Sequence, residues 1–249
     1  YNQADPATGL GGGIHAYNGG VINISGSSNI AGNTAFNGAG IYADAATLSI
    51  GAAVIHSNTA NNHGGGVYLG NASSLDAVDT YIGHTATASR GNDAVLGAGL
   101  YVAGSTLTFA GQIINNIAST QGGGIYATAA TLNLSDCQVG GALTYQPNQL
   151  GPDGHSGAGL FLTALTTAVI TNCDISSNSF QTAGFTYGGG AYVDGGSSLT
   201  LTDSTVQLHQ AISAADGRGA GLYVRGGTVT IDNSQVISNT AGMSGGGIR

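Results

Sequence analysis

The chain has 249 residues, with 45 Gly, 12 Asp and 4 Arg, no Trp, Lys or Glu, and a formal net charge of −8 at pH 7. Four scattered Arg build no basic patch, which argues against nucleic acid or an anionic membrane as partner. No apolar run reaches the roughly eighteen residues of a membrane-spanning helix, while 41% apolar content supports a packed core despite the Gly-, Ser-, Thr- and Asn-rich composition.

In chain order the first element is "GGGIHA" (11–16), and its pattern returns as "NGAGIYAD" (37–44), "HGGGVYLG" (63–70), "QGGGIYAT" (121–128), "YGGGAYVD" (187–194) and "RGAGLYVR" (218–225). Nine such triplets begin at Gly11, Gly38, Gly64, Gly97, Gly122, Gly157, Gly188, Gly219 and Gly245, spaced by 27, 26, 33, 25, 35, 31, 31 and 26 residues. A period of this size marks a solenoid, in which each unit buries its apolar face only against its neighbours. After each triplet comes an alternating run, such as "TLSI" (47–50), "TLTF" (106–109) or "TVTI" (228–231). It is followed by Ile/Val-x-x-Asn, as in "IHSN" (55–58) and "ISSN" (175–178). Alternation with period two predicts strands, and no helical apolar period persists. Three short strands per unit, joined by Gly, Asn, Ser and Asp corners, predict an all-β fold: a right-handed, single-stranded parallel β-helix. Residues 1–249 form one domain of about nine coils, roughly 40 Å long at the usual strand spacing.

The order and spacing in "IHSNTANNHGGGVY" (55–68) and "VISNTAGMSGGGI" (236–248) resemble the repeat of the polymorphic outer-membrane proteins, autotransporter passengers with FxxN and GGA(I/L/V) tetrapeptides. Here Ile or Val stands for the Phe, and the triplet reads GGG or GAG. The resemblance implies an adhesive passenger, secreted or held at the cell surface in association with an outer membrane.

Strand alternation then assigns directions. The apolar residue after each triplet points inward. The next residue points outward and forms the column His15, Tyr42, Tyr68, Tyr101, Tyr126, Phe161, Tyr192, Tyr223 and Arg249, with the third glycine making room beside each ring. The middle triplet position points inward and alternates Gly and Ala along the chain. A second column, Asn33, Asn58, Asn116, Asn178 and Asn239, is interrupted by Thr85, Ala142 and His209 and satisfies corner backbone groups. Cys137 and Cys173 stand two residues before the inward Val139 and Ile175 in adjacent coils, where they are either a disulfide or two small core residues.

No GxSxG, HExxH, P-loop or CxxC motif occurs, and no metal site or cofactor is expected. Four insertions, 86–96, 142–156, 179–187 and 210–218, are placed between the Asn segment and the next triplet, beside the Tyr column. They carry Arg90, Asp93, Tyr145, Asp153, His155, Tyr187, Asp216 and Arg218. Loops on a rigid scaffold beside aromatic rings suit a binding groove. The glycan-binding candidates are therefore Tyr42, Tyr68, Tyr101, Tyr126, Tyr192 and Tyr223 with Arg90, Asp153 and His155. The partner would be a polysaccharide or a host or neighbouring-cell surface. The alternative is a carbohydrate-active enzyme of the β-helix lyase, hydrolase or epimerase type, with Asp194, Asp216, Arg218 and Arg225 as weak catalytic candidates. On this reading Asp194 and Arg225 otherwise form a surface ion pair. Because the sequence stops at "GGGIR" without a polar cap, it also reads as a segment of a longer repeat protein whose open coils could associate end to end.

Overall fold

The computed structural model describes residues 2–84, 91–141, 147–181, 184–213 and 216–249. Every strand pairing within it is parallel, and pairing joins each coil to the next. One sheet of eight strands stacks the segments that follow the triplets, from Ile14–Tyr17 to Leu222–Arg225. Eight strands make seven full turns, and the ninth triplet adds only a bridge between Leu222 and Ile248.

A single coil shows the plan. Ile41–Asp44 belongs to the eight-stranded sheet, and Thr47–Gly51 and Val54–His56 both belong to a fourteen-stranded sheet. Thr59–His63 then enters a six-stranded sheet, so this coil has four strand segments in three sheets rather than three segments. The fourth segment, just after the Asn, is short and polar and gives no alternation to read in the sequence. In two coils the second and third segments fuse, as Ser74–Gly83 and Thr106–Ile114, and pair in register with one shift between Val78 and Thr80.

Corners exist because certain residues accept left-handed backbone. The first glycine of every triplet has φ between 55° and 66°, a region that costs other residues a clash of Cβ with the following carbonyl. At the corner between the second and third segments, Asp79, Asp136, Asn172, Asp203 and Asn233 take the same conformation, with φ of 43–53°. Asn and Asp tolerate it best among residues with side chains.

Inside, aliphatic columns converge from the two larger sheets: Ile41, Val67, Leu100, Ile125 and Leu160 from one, Leu48, Leu75, Leu107 and Leu132 from the other. Size is exchanged between neighbouring rungs, and Ala77 stacks on Phe109 while Ala191 lies between Leu160 and Leu222. Each large aliphatic side chain buried this way contributes about 1.5–3 kcal/mol. A second, smaller core of Ala35, Ala39, Ala60, Ala94, Ala98 and Ala118 with Leu150 and Ala158 lies under the six-stranded sheet. Ala39, Ala98 and Ala158, the inward Ala of three alternate triplets, belong to this second core.

The third glycine is placed differently from expectation. A Cβ at Gly99 would meet Gly124 O at 2.5 Å and Asn116 Nδ2 at 3.1 Å, so this position faces the next coil and the buried Asn column rather than the aromatic rings. The triplet is a bend, and strand alternation does not carry through it.

Candidate functional site

The aromatic column is continuous. His15, Tyr42, Tyr68, Tyr101, Tyr126, Phe161, Tyr192 and Tyr223 are strand-register partners from coil to coil. From Tyr42 to Tyr223 successive ring centroids lie 4.7–5.2 Å apart, with interplanar angles of 4–13°. Parallel strand spacing itself imposes this stack, and offset stacking of the rings contributes beyond burial. The rings cover one another's faces, leaving Tyr42 and Tyr192 only 7% and 5% exposed. A partner on this side therefore meets ring edges and phenol oxygens.

Burial pushes the Tyr42 and Tyr101 phenols up to about 12, helped by the neighbouring Tyr68 in both and by Asp44 or Tyr126. Tyr68, Tyr126 and Tyr192 move in the same direction through burial, with Arg225 opposing the shift at Tyr192. The column thus offers neutral hydroxyls rather than bases at physiological pH.

A flanking column was missed in the sequence. The residue just before each first glycine stays in register along the molecule: Leu10, Asn37, His63, Leu96, Gln121, Ser156 and Tyr187. Arg218 and Ser244 continue it. Its residue types vary, so no pattern announced it, although its place one residue before each triplet was visible. His63 lies flat on Tyr101, with centroids 4.4 Å apart and 4° between planes, and burial lowers its imidazole pKa. Tyr187 leans on Tyr223 at 4.9 Å. Between the two columns runs the glycine corner, which presents no outward side chain, and at His63 and Tyr187 the flanking ring closes against the aromatic column.

At the Tyr223 end of the two columns the polar candidates gather. Asp216 is buried and accepts from Tyr187 Oη at 3.0 Å and from Arg218 Nε at 2.5 Å. Burial, with Asp216 beside it, raises the Tyr187 phenol, and Asp216 raises Arg218. The exposed His155 imidazole meets Phe185 O through Nδ1 at 3.1 Å, and its carbonyl accepts from Tyr187 N at 2.8 Å, so the 151–156 loop joins this cluster. Asp153 is exposed on the same loop. Arg90 and Tyr145 lie outside the described residues.

Two sequence readings change here. Arg225 is the register partner of Asp194 but hydrogen-bonds Tyr192, while Asp194 Oδ1 accepts from Gly195 N at 2.7 Å. Among the described residues the one ion pair is Arg218–Asp216. Asp194 and Asp216 also occupy different sheets, and both oxygens of Asp216 are engaged, so the two do not form an acid–base pair.

The Asn column is more complete than the sequence suggested. Asn92 and Asn148 take the rungs assigned to Thr85 and Ala142, which lie outside the described residues. In these two coils inserted residues precede the Asn, and in the second the 151–156 loop also follows it. Asn58, Asn92, Asn116 and Asn148 repeat one pattern, shown by Asn92. Its Oδ1 accepts from Asn58 N at 3.2 Å and from Asn58 Nδ2 at 2.9 Å, and its Nδ2 donates to Ile55 O at 2.8 Å and Asn116 Oδ1 at 2.9 Å.

Cys137 and Cys173 face each other on adjacent coils, both buried, with Cα atoms 4.6 Å apart, within the span a disulfide bridges.

Residues 54–248 match the family described as right-handed β-helix region. The chain belongs to that family. Neither a curated protein nor a solved structure matches it. The β-helix family includes surface proteins and polysaccharide-active enzymes, so membership fixes the scaffold and leaves the role to the side chains. In this β-helix no group of three or more His, Cys, Asp or Glu converges on one point among the described residues.

Proposed function

We propose that this β-helix is a structural and adhesive module, secreted or carried at a cell surface, that contacts glycans along the face formed by its aromatic ladder and the flanking column. The supporting observation is the uninterrupted register of two outward columns over seven turns, which suits repeated contacts with an extended chain better than one reacting centre. Phenol oxygens, Gln121 and Arg218 supply hydrogen-bonding groups of the kind a sugar polymer needs. An oxidised Cys137–Cys173 pair agrees with an extracytoplasmic setting.

The second reading, a carbohydrate-active enzyme, rests on the cluster of Tyr187, Asp216 and Arg218 near His155. Glycan-array binding run beside assays for reducing and unsaturated ends on acidic polysaccharides separates the two. Adhesion requires binding without turnover, lost in Tyr126→Ala and Tyr192→Ala variants that remain folded. Product release that depends on Asp216 would replace this reading with the enzymatic one.

A further inference from the structure

The buried polar column holds one titratable rung. At His209 the imidazole stands where its neighbours place an amide, fully buried. Nδ1 accepts from Asn178 N at 3.1 Å, as Oδ1 does at the other rungs. Nε2 donates to Ile175 O at 3.0 Å, as Nδ2 of Asn239 does to Val206 O at 2.9 Å. The backbone N of His209 donates to Asn239 Oδ1 at 3.0 Å, so the ladder's links from backbone N to side chain continue through it.

This geometry admits one protonation state: neutral, with the proton on Nε2. A second proton on Nδ1 would set donor against donor at the Asn178 amide. It would also create a buried cation, which is costly without a counter-charge. None is at hand. Asp174 is held by Gln207 and Ser176, Asp216 by Tyr187 and Arg218, and Asp194 by the Gly195 amide. Tyr192 and Arg225 are bonded to each other on the outer face, and no charged side chain contributes to the state of His209. The glycines beneath it cannot yield: a Cβ at Gly190 would lie 2.9 Å from Nε2, so the ring is tightly seated. The Asn rungs do not titrate.

We infer that His209 is an acid-sensitive latch, whose protonation opens the solenoid between the Asn178 and Asn239 coils while the all-Asn coils before them stay closed. Opening there frees the edge of the Asp174–Ser176 strand and its neighbours, and a free parallel edge is a template for another strand. The module would then expose a new pairing surface on entering an acidic compartment or medium.

The sign follows from linkage. Burial pushes the folded-state imidazole down to about 4, against an unfolded value near 6.5. The unfolded or opened coil binds the proton first. Closure is therefore fully favoured above about pH 6.5 and weakens by about tenfold per pH unit between there and pH 4.

Hydrogen exchange of the full chain at pH 7, 5.5 and 4.5, corrected for intrinsic rates, tests this. Protection at Asn178, Thr205–Gln207 and His209 should fall by about tenfold per pH unit, while Asn58, Asn92 and Asn116 hold. His209→Asn should keep the C-terminal coils protected at pH 4.5. Equal loss in wild type and His209→Asn overturns the latch, as does uniform loss along the wild-type rod. Should His209→Asn fail to fold, imidazole nitrogen shifts of the wild type decide: protonation near pH 6.5 without loss of protection overturns the inference. Protonation that coincides with the loss supports it.

Discussion

Two columns run the length of this solenoid, with opposite chemistry. Inside, Asn58, Asn92, Asn116 and Asn178 are fully buried, and each makes hydrogen bonds to the rungs and backbone on either side. Outside, the aromatic rings stack without any such exchange, and Phe161 sits between Tyr126 and Tyr192 at 5.1 and 4.9 Å as though it carried a hydroxyl. Both columns arise from the same in-register parallel stacking. What differs is the penalty for error. An interior rung must supply an acceptor and a donor in fixed directions, so only an isostere such as His209 can replace Asn. An exterior rung need only be flat and apolar.

The sharpest way to break this contrast is Asn116→Ala. It leaves Asn92 N and Nδ2 without their shared acceptor and Ile82 O without its side-chain donor, while Asn148 Oδ1 keeps only the backbone N–H of residue 116, all in the interior. Stranded buried groups cost about 1–3 kcal/mol each, so a loss of about 3–5 kcal/mol is expected in urea unfolding. A loss below about 1 kcal/mol would mean that the ladder does not hold the corner. Next in size comes the cysteine pair. Its neighbour rung is Ser204, whose Oγ accepts from Cys173 N at 3.1 Å, so this interior column holds small side chains that cap the amide of the coil before. Oxidation across a sequence separation of 36 should stabilise by about 3–4 kcal/mol through loop closure. Thermal unfolding with and without reductant reads this out. A Cys137→Ser variant insensitive to reductant is the control, and a wild type equally insensitive would show that the thiols stay free.

Much of the architecture was legible because its causes are local. Only glycine suits φ near 60° with a carbonyl packed against Cα, so the triplets mark corners, and the alternating Leu and Ile of "TLSI" mark a half-buried strand. The polar column was legible only while its spacing held. Ile55 to Asn58 and Ile113 to Asn116 are three residues, but Ile82 to Asn92 is ten and Val139 to Asn148 is nine, because residues were inserted before the Asn. A fixed-offset reading then lands on Thr85 and Ala142. His209 read as an interruption because side-chain class hides what its two nitrogens do, which is to copy an amide. The candidate site was less legible still. Its flanking column runs from Leu10 through His63 to Arg218 with no shared residue type, since only backbone register places those side chains together.

The exterior column gives the smaller effects, and a pair of substitutions at one rung separates packing from the hydroxyl. Tyr126 stacks at 5.2 Å on Tyr101 and 5.1 Å on Phe161, so Tyr126→Ala removes two ring contacts and uncovers both neighbours. A stability loss of about 1.5–3 kcal/mol is expected from the burial and stacking together. Tyr126→Phe keeps the stack, and Phe161 shows that the column accommodates such a rung, so its stability should change by less than about 0.5 kcal/mol. If glycan contact runs through the phenol oxygens of the ladder, Tyr126→Phe should still weaken binding on a glycan array. If binding instead falls only with Tyr126→Ala, the ring edge makes the contact. Should Tyr126→Phe destabilise as much as Tyr126→Ala, the hydroxyl would be a structural hydrogen-bonding group, and the two columns would be less different than their geometry indicates.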